Sequence, residues 1–164
     1  MVTKRKIISM KGKKMSVVPA AKPIYEKDFY KWTHSQASFL KKQEFSKLDI
    51  DNLIEEIESL GRSEKRTLRS YLEILLMHML KVKFQPSMHT VSWDLSIKET
   101  SHKAQTTLQE NPSLKMQLKD LVKDAYFSAR IKAALETGLD EKTFPKKCPW
   151  VSKDLFPDLE KKYW

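Results

Sequence analysis

The chain has 164 residues, 40% of them hydrophobic, which is enough for one domain with a buried core. Its single cysteine, Cys148, excludes an internal disulfide, and four scattered histidines exclude a zinc finger. No apolar run approaches the roughly 18–20 residues of a membrane span, and only 3 glycines among many Leu, Lys, Glu and Ser favour helix over sheet.

A net charge of +10 suggests a polyanionic partner until it is located. Residues 1–22 carry seven Lys/Arg and no acid, so residues 23–164 carry only +3. This opening stretch lacks periodicity and an apolar leader segment and reads as a disordered basic tail. Residues 23–164 read as a single helical domain. The lone cysteine and the absence of a leader point to a cytoplasmic protein.

The first predicted helix runs over Tyr25–Phe45, with Tyr25, Phe29, Trp32, Gln36, Phe39 and Leu40 on one face. Gln36 is the polar exception. The second begins after Asp49, a plausible N-cap, and carries Ile50, Leu53, Ile54, Ile57 and Leu60, then Leu68, Tyr71, Leu72, Leu75, Leu76 and Met79. Its charges switch sign along its length. Asp49, Asp51, Glu55, Glu56 and Glu58 come first, then Arg62, Lys65, Arg66 and Arg69 against Glu64 alone. Gly61 permits either a helix end or a continuous helix, and the apolar spacing holds phase across it, which favours continuity.

Gln85-Pro86 ends that helix. A third is predicted over Ser92–Glu110 and a fourth from Asn111-Pro112 to Thr137, stopped by Gly138. Beyond it, Pro145, Pro149 and Pro157 exclude a long helix, leaving a short turn around Ser152–Leu155. Phe144, Trp150, Phe156 and Trp164 would pin this irregular segment down. The predicted fold is all-α, an up-and-down bundle of four main helices with an irregular C-terminal segment.

Several runs, in order, resemble one bacterial family. They are Tyr25-Glu26-x-Asp28-Phe29-Tyr30-x-Trp32, then Asp51-x-Leu53-Ile54-Glu55-Glu56-Ile57-Glu58-x-Leu60-Gly61-Arg62-Ser63-Glu64, then Leu75-Leu76-x-His78-x-Leu80-Lys81. Gln85-Pro86, Ser92-Trp93, Pro112-Ser113-Leu114, Thr137-Gly138-Leu139 and Phe144-Pro145-x-x-Cys148-Pro149-Trp150 follow. Together they resemble the DUF29 family over about residues 24–150. The resemblance implies a small all-helical bacterial protein and carries over no catalytic residue or cofactor. Val82-Lys83-Phe84 departs from the aromatic pair frequent at that place in the family.

Three functional readings follow. The first is a non-enzymatic module for self-association, as a homodimer, or for a protein partner. The second is nucleic-acid binding through Lys4, Arg5, Lys6, Lys11, Lys13 and Lys14 of the tail, together with the Arg62, Lys65, Arg66 and Arg69 face. The third is a metal-dependent hydrolase using Glu55, Glu58 and His78, whose residue types suit a metal but whose spacing in a straight helix does not. The structural reading of His78 is a polar knot with Gln85, Ser92 and Trp93 at the corner between the second and third helices. Cys148, beside Lys146 and Lys147, is a weak nucleophile candidate without a nearby histidine.

Overall fold

The computed structural model describes residues 23–156. The basic tail and Trp164 therefore lie outside the described residues. Within them the protein is all-α, with four main helices and no strand. The chain divides into two compact units between Leu53 and Ile54.

In the first unit, a single turn, α1 (Ile24–Lys27), precedes α2 (Phe29–Lys41). The one helix expected over Tyr25–Phe45 is broken because Asp28 leaves helical geometry and its carboxylate accepts the Lys31 backbone N–H at 2.9 Å, capping α2. It ends early because Gln43 takes φ 60, in the left-handed region. The Trp32 ring is buried, in edge contact with Tyr25 at 4.9 Å and stacked on Phe29 at 5.6 Å. A short 3₁₀ turn at Phe45–Lys47 leads into α3 (Ile50–Phe84).

Gln36, the polar exception on the aromatic face, is buried for a reason. Its Oε1 accepts the backbone N–H of Asp49 at 2.9 Å, while Trp32 Nε1–H donates to Asp49 Oδ2 at 3.0 Å. Asn52 Nδ2 donates to the same oxygen at 2.7 Å. The hydrogen bond from the Asn52 side chain is the main cause holding the Asp49 carboxyl below the usual carboxylate range. This cluster fixes the chain's entry into α3.

The second unit holds the rest of α3, α4 (Val91–Glu110), α5 (Leu118–Thr137) and the single turn α6 (Ser152–Leu155). Proline opens a 3₁₀ turn at each corner, Pro86–Met88 and Pro112–Gln117. Gly138 closes α5 at φ 71. Asn111 at the end of α4 reaches Glu64 of α3, whereas Lys81 and Gln85 near the end of α3 meet Glu136 and Thr137 at the end of α5. The order is thus up, down, up. Leu68, Leu72, Leu75, Leu76 and Leu80 of α3 face Ala104 and Leu108 of α4 and the small residues Ala125, Ala129 and Ala133 of α5. Phe144, Leu155 and Phe156 anchor the irregular C-terminal segment in the same core. Tyr126 Oη donates to the Pro145 carbonyl at 2.7 Å and Ser101 Oγ to the Leu155 carbonyl at 3.1 Å, satisfying backbone that leaves regular structure there.

Candidate functional site

Helix α3 is uninterrupted for 35 residues and runs straight through Gly61. At about 1.5 Å per residue, Glu58 and His78 stand about 30 Å apart along one helix. Glu55, Glu58 and His78 are therefore not brought together within a chain. Among the described residues no three His, Cys, Asp or Glu converge as metal ligands. Glu58 instead accepts from Arg62 on the next turn, at 3.1 Å.

The apolar stripe of α3 has two fates. From Leu68 onward it is core. Upstream, Ile54, Ile57 and Leu60 are 52%, 65% and 68% exposed. Among the described residues, a methyl group placed on Gly61 would meet no atom within 4 Å, so none of them uses the room the glycine leaves. Beside the stripe, Asp51, Glu55, Glu58, Arg62, Lys65 and Arg69 form one row at alternating four- and three-residue steps. The row is acidic before Leu60 and basic after it.

At the corner after α3, the polar centre is Lys81. Its stem is buried, and Nζ lies 2.5 Å from Glu136 Oε2 and 4.4 Å above the Trp93 ring. Gln85 Nε2 donates to the Thr137 carbonyl at 3.2 Å, whereas Ser92 is exposed. No hydrogen bond joins His78, Gln85, Ser92 and Trp93 to one another among the described residues. The Nδ1 of His78 is buried without a partner. Burial first, and then the Lys81 charge, lower the His78 pKa, so the ring is held neutral. The sequence reading placed a knot at this corner without Lys81 and Glu136. A lysine at the end of a helix normally reads as a solvated dipole partner.

A cavity of about 940 Å³ opens in the second unit, between α5, the C-terminal segment and Arg69 of α3. Six cations line it: Arg69, Lys119, Lys123, Arg130, Lys146 and Lys147. Asp124 is the one lining carboxylate. Its apolar wall includes Val122, Tyr126, Phe127 and Trp150. Arg130 Nη2 pairs with Glu141 at 2.5 Å while its Nε is buried without an acceptor. Cys148 also lines the cavity, but burial raises its pKa, so Lys146 and Lys147 do not make it a thiolate. Burial likewise pushes Tyr126 up to about 12, which keeps its hydroxyl protonated. A sequence signal for this wall exists. Lys119, Lys123, Tyr126 and Arg130 follow one another at helical steps, four residues and then three and four.

Comparison with known proteins gives a family and nothing further. The family model described as "Domain of unknown function DUF29" matches residues 24–164. No curated protein and no solved structure matches the chain.

Proposed function

The chain belongs to the DUF29 family, and from there we propose that it is a non-enzymatic interaction module that pairs with a second copy of itself through the amino-terminal half of α3. The observation that carries this reading is the charge row beside an uncovered apolar stripe. A two-fold axis at Leu60 sets two α3 helices antiparallel. Asp51 of one copy then lies opposite Arg69 of the other, Glu55 opposite Lys65, and Glu58 opposite Arg62. Every acid meets a base, and the two-fold repeats each pairing, as an isologous interface requires.

The stripe supplies the driving force. Ile54, Ile57 and Leu60 are all more than half exposed, and burying such side chains is worth about 1.5–3 kcal/mol each. A glycine inside a helix costs about 0.5–1 kcal/mol relative to alanine. Its occurrence at Gly61, where no side chain of the described residues comes near, fits a close approach by another helix. In this register His78 of one copy lies beyond Ile50, where α3 of the other begins, about 24 Å along the axis from Glu58. Pairing therefore gives no support to a shared Glu/His metal site.

Sedimentation equilibrium of the full chain should give twice the chain mass. Ile57→Asp with Leu60→Asp should return the single-chain mass with unchanged helix content. Glu55→Lys with Glu58→Lys should weaken pairing, and adding Arg62→Glu and Lys65→Glu should restore it, because the reversed row is again self-complementary. A wild-type chain that stays at one chain mass at high-micromolar concentration would defeat the proposal.

A further inference from the structure

We infer that the cationic cavity beside α5 binds nucleotide units, a phosphate with a planar base attached, supplied as single-stranded nucleic acid or as free nucleotide.

The charge comes first. Lys119, Lys123, Lys146, Lys147 and Arg69 have no ion-pair partner among the described residues, and the lining carries a single carboxylate. These cations are exposed at the rim of one concave surface; like charges gathered there repel one another, and their summed field favours an anion. A metal cation is disfavoured by the same field. Arg130 is a sixth cation on the lining, with Glu141 holding one end of its guanidinium.

The aromatic wall narrows the class of anion. Phe127 lines the cavity and is 63% exposed, and Trp150 lines it half-buried. Tyr126 spends its hydroxyl on the Pro145 carbonyl, so it offers the cavity little but its ring. Flat π-faces interleaved with lysines are the chemistry that holds stacked bases between bound phosphates, at about 1–3 kcal/mol per stacked base. Inorganic phosphate would leave the rings uncovered. An acidic peptide would satisfy the lysines without using their planarity. The volume of about 940 Å³ lies at the upper end of the ~300–1,000 Å³ typical of small-ligand pockets. The site differs from the basic tail and from Arg62, Lys65 and Arg66 of α3. Only Arg69 is shared with the nucleic-acid face read from the sequence.

The inference shares only Arg69 with the self-association proposal and does not rest on it, and it is tested on the full chain. A fluorescein-labelled oligouridylate should raise its anisotropy on binding, with affinity falling as salt rises. Lys146→Glu with Lys147→Glu, both exposed, should weaken binding at least tenfold and flatten the salt dependence. Phe127→Ala should weaken it about 5- to 150-fold with the salt dependence unchanged, the signature of lost stacking. Displacement by adenosine monophosphate identifies a free nucleotide as the source, and displacement by oligomers alone identifies a strand; either supports the inference. Binding that survives all these substitutions and disappears when the tail lysines and arginine are replaced by glutamine would overturn it. So would equal competition by polyglutamate or anionic vesicles with no effect of Phe127→Ala, or affinity no tighter than the ~10⁻⁴ M of non-specific association. Ile57→Asp with Leu60→Asp should leave oligonucleotide binding intact, which separates failure of this inference from failure of the pairing proposal.

Discussion

The two halves of α3 carry the same apolar periodicity and differ in what covers them. Leu68, Leu72, Leu75 and Leu76 are sealed by α4 and α5, whereas Ile54, Ile57 and Leu60 on the same stripe face outward. The apolar spacing of the two halves is alike, so the difference in cover does not arise from the stripe itself. It arises because α4 ends at Glu110 beside Glu64 and the chain turns back there. An apolar stripe states that a face must be covered. It does not state by what.

Four expected outcomes bear on that contrast. The largest concerns the covered half. Leu76→Ala should lower unfolding stability in urea by about 2–5 kcal/mol, through lost burial and the cavity left behind. Ile57→Ala, measured at concentrations too low for pairing, should cost no more than about 0.5 kcal/mol. Equal losses at the two positions would mean that Ile57 is covered within its own chain.

Next in size is the corner that closes the covered half. Glu136→Gln removes the carboxylate facing the buried Lys81. It should cost about 1–3 kcal/mol, since a buried ammonium then loses its charged acceptor. The control is Glu99→Gln, which breaks the solvent-exposed pair with Lys103. It should cost far less than Glu136→Gln, because solvent-exposed pairs contribute little. Thermal and urea unfolding of both variants checks the ranking.

A smaller effect of opposite sign is expected in the uncovered half. Gly61→Ala should stabilise the isolated chain by about 0.5–1 kcal/mol by reducing backbone freedom in the unfolded state. It should also weaken self-association, because the added methyl group occupies the space that a second helix would enter. Stabilisation without weaker association would place the contact elsewhere on α3.

The smallest is a pH effect from His78. Its folded pKa lies below the ordinary value of about 6.5, so the unfolded chain binds its proton more tightly than the folded one. The stability linked to the neutral ring is complete above the unfolded pKa and is lost as pH falls from about 6.5 through the lowered folded value. Urea midpoints at pH 7.5 and 5.5 should differ less in His78→Gln than in the parent chain. An identical pH dependence would mean that the ring is solvated in the folded state.

Much of the fold was legible because it depends on local chemistry. Pro86, Pro112 and Gly138 mark real boundaries, and the continuity of α3 through Gly61 was readable from the phase of Ile57, Leu60 and Leu68. The break at Asp28 was missed although a short acceptor before an aromatic helix is a capping signal. The burial of Gln36 had no local explanation, since its partner, the Asp49 backbone, lies 13 residues away. The cavity escaped notice for a related reason. Lys119, Lys123 and Arg130 read as a solvated helix face until Lys146, Lys147 and Trp150 are brought against it.

The sequence alone determined the all-helical class, the boundaries at Pro86, Pro112 and Gly138, the family and the sign pattern of each charged face, because propensity, capping and periodicity act over a few residues; it missed the break at Asp28 and the 3₁₀ turn that delays α5 to Leu118. The tertiary structure decided which half of α3 becomes core and that Lys81 rather than His78 holds the charge at the corner. It also decided that six cations from α3, α5 and the C-terminal segment surround one aromatic cavity. Those outcomes depend on contacts between residues tens of positions apart, where burial and charge interact through space and leave no periodic trace along the chain.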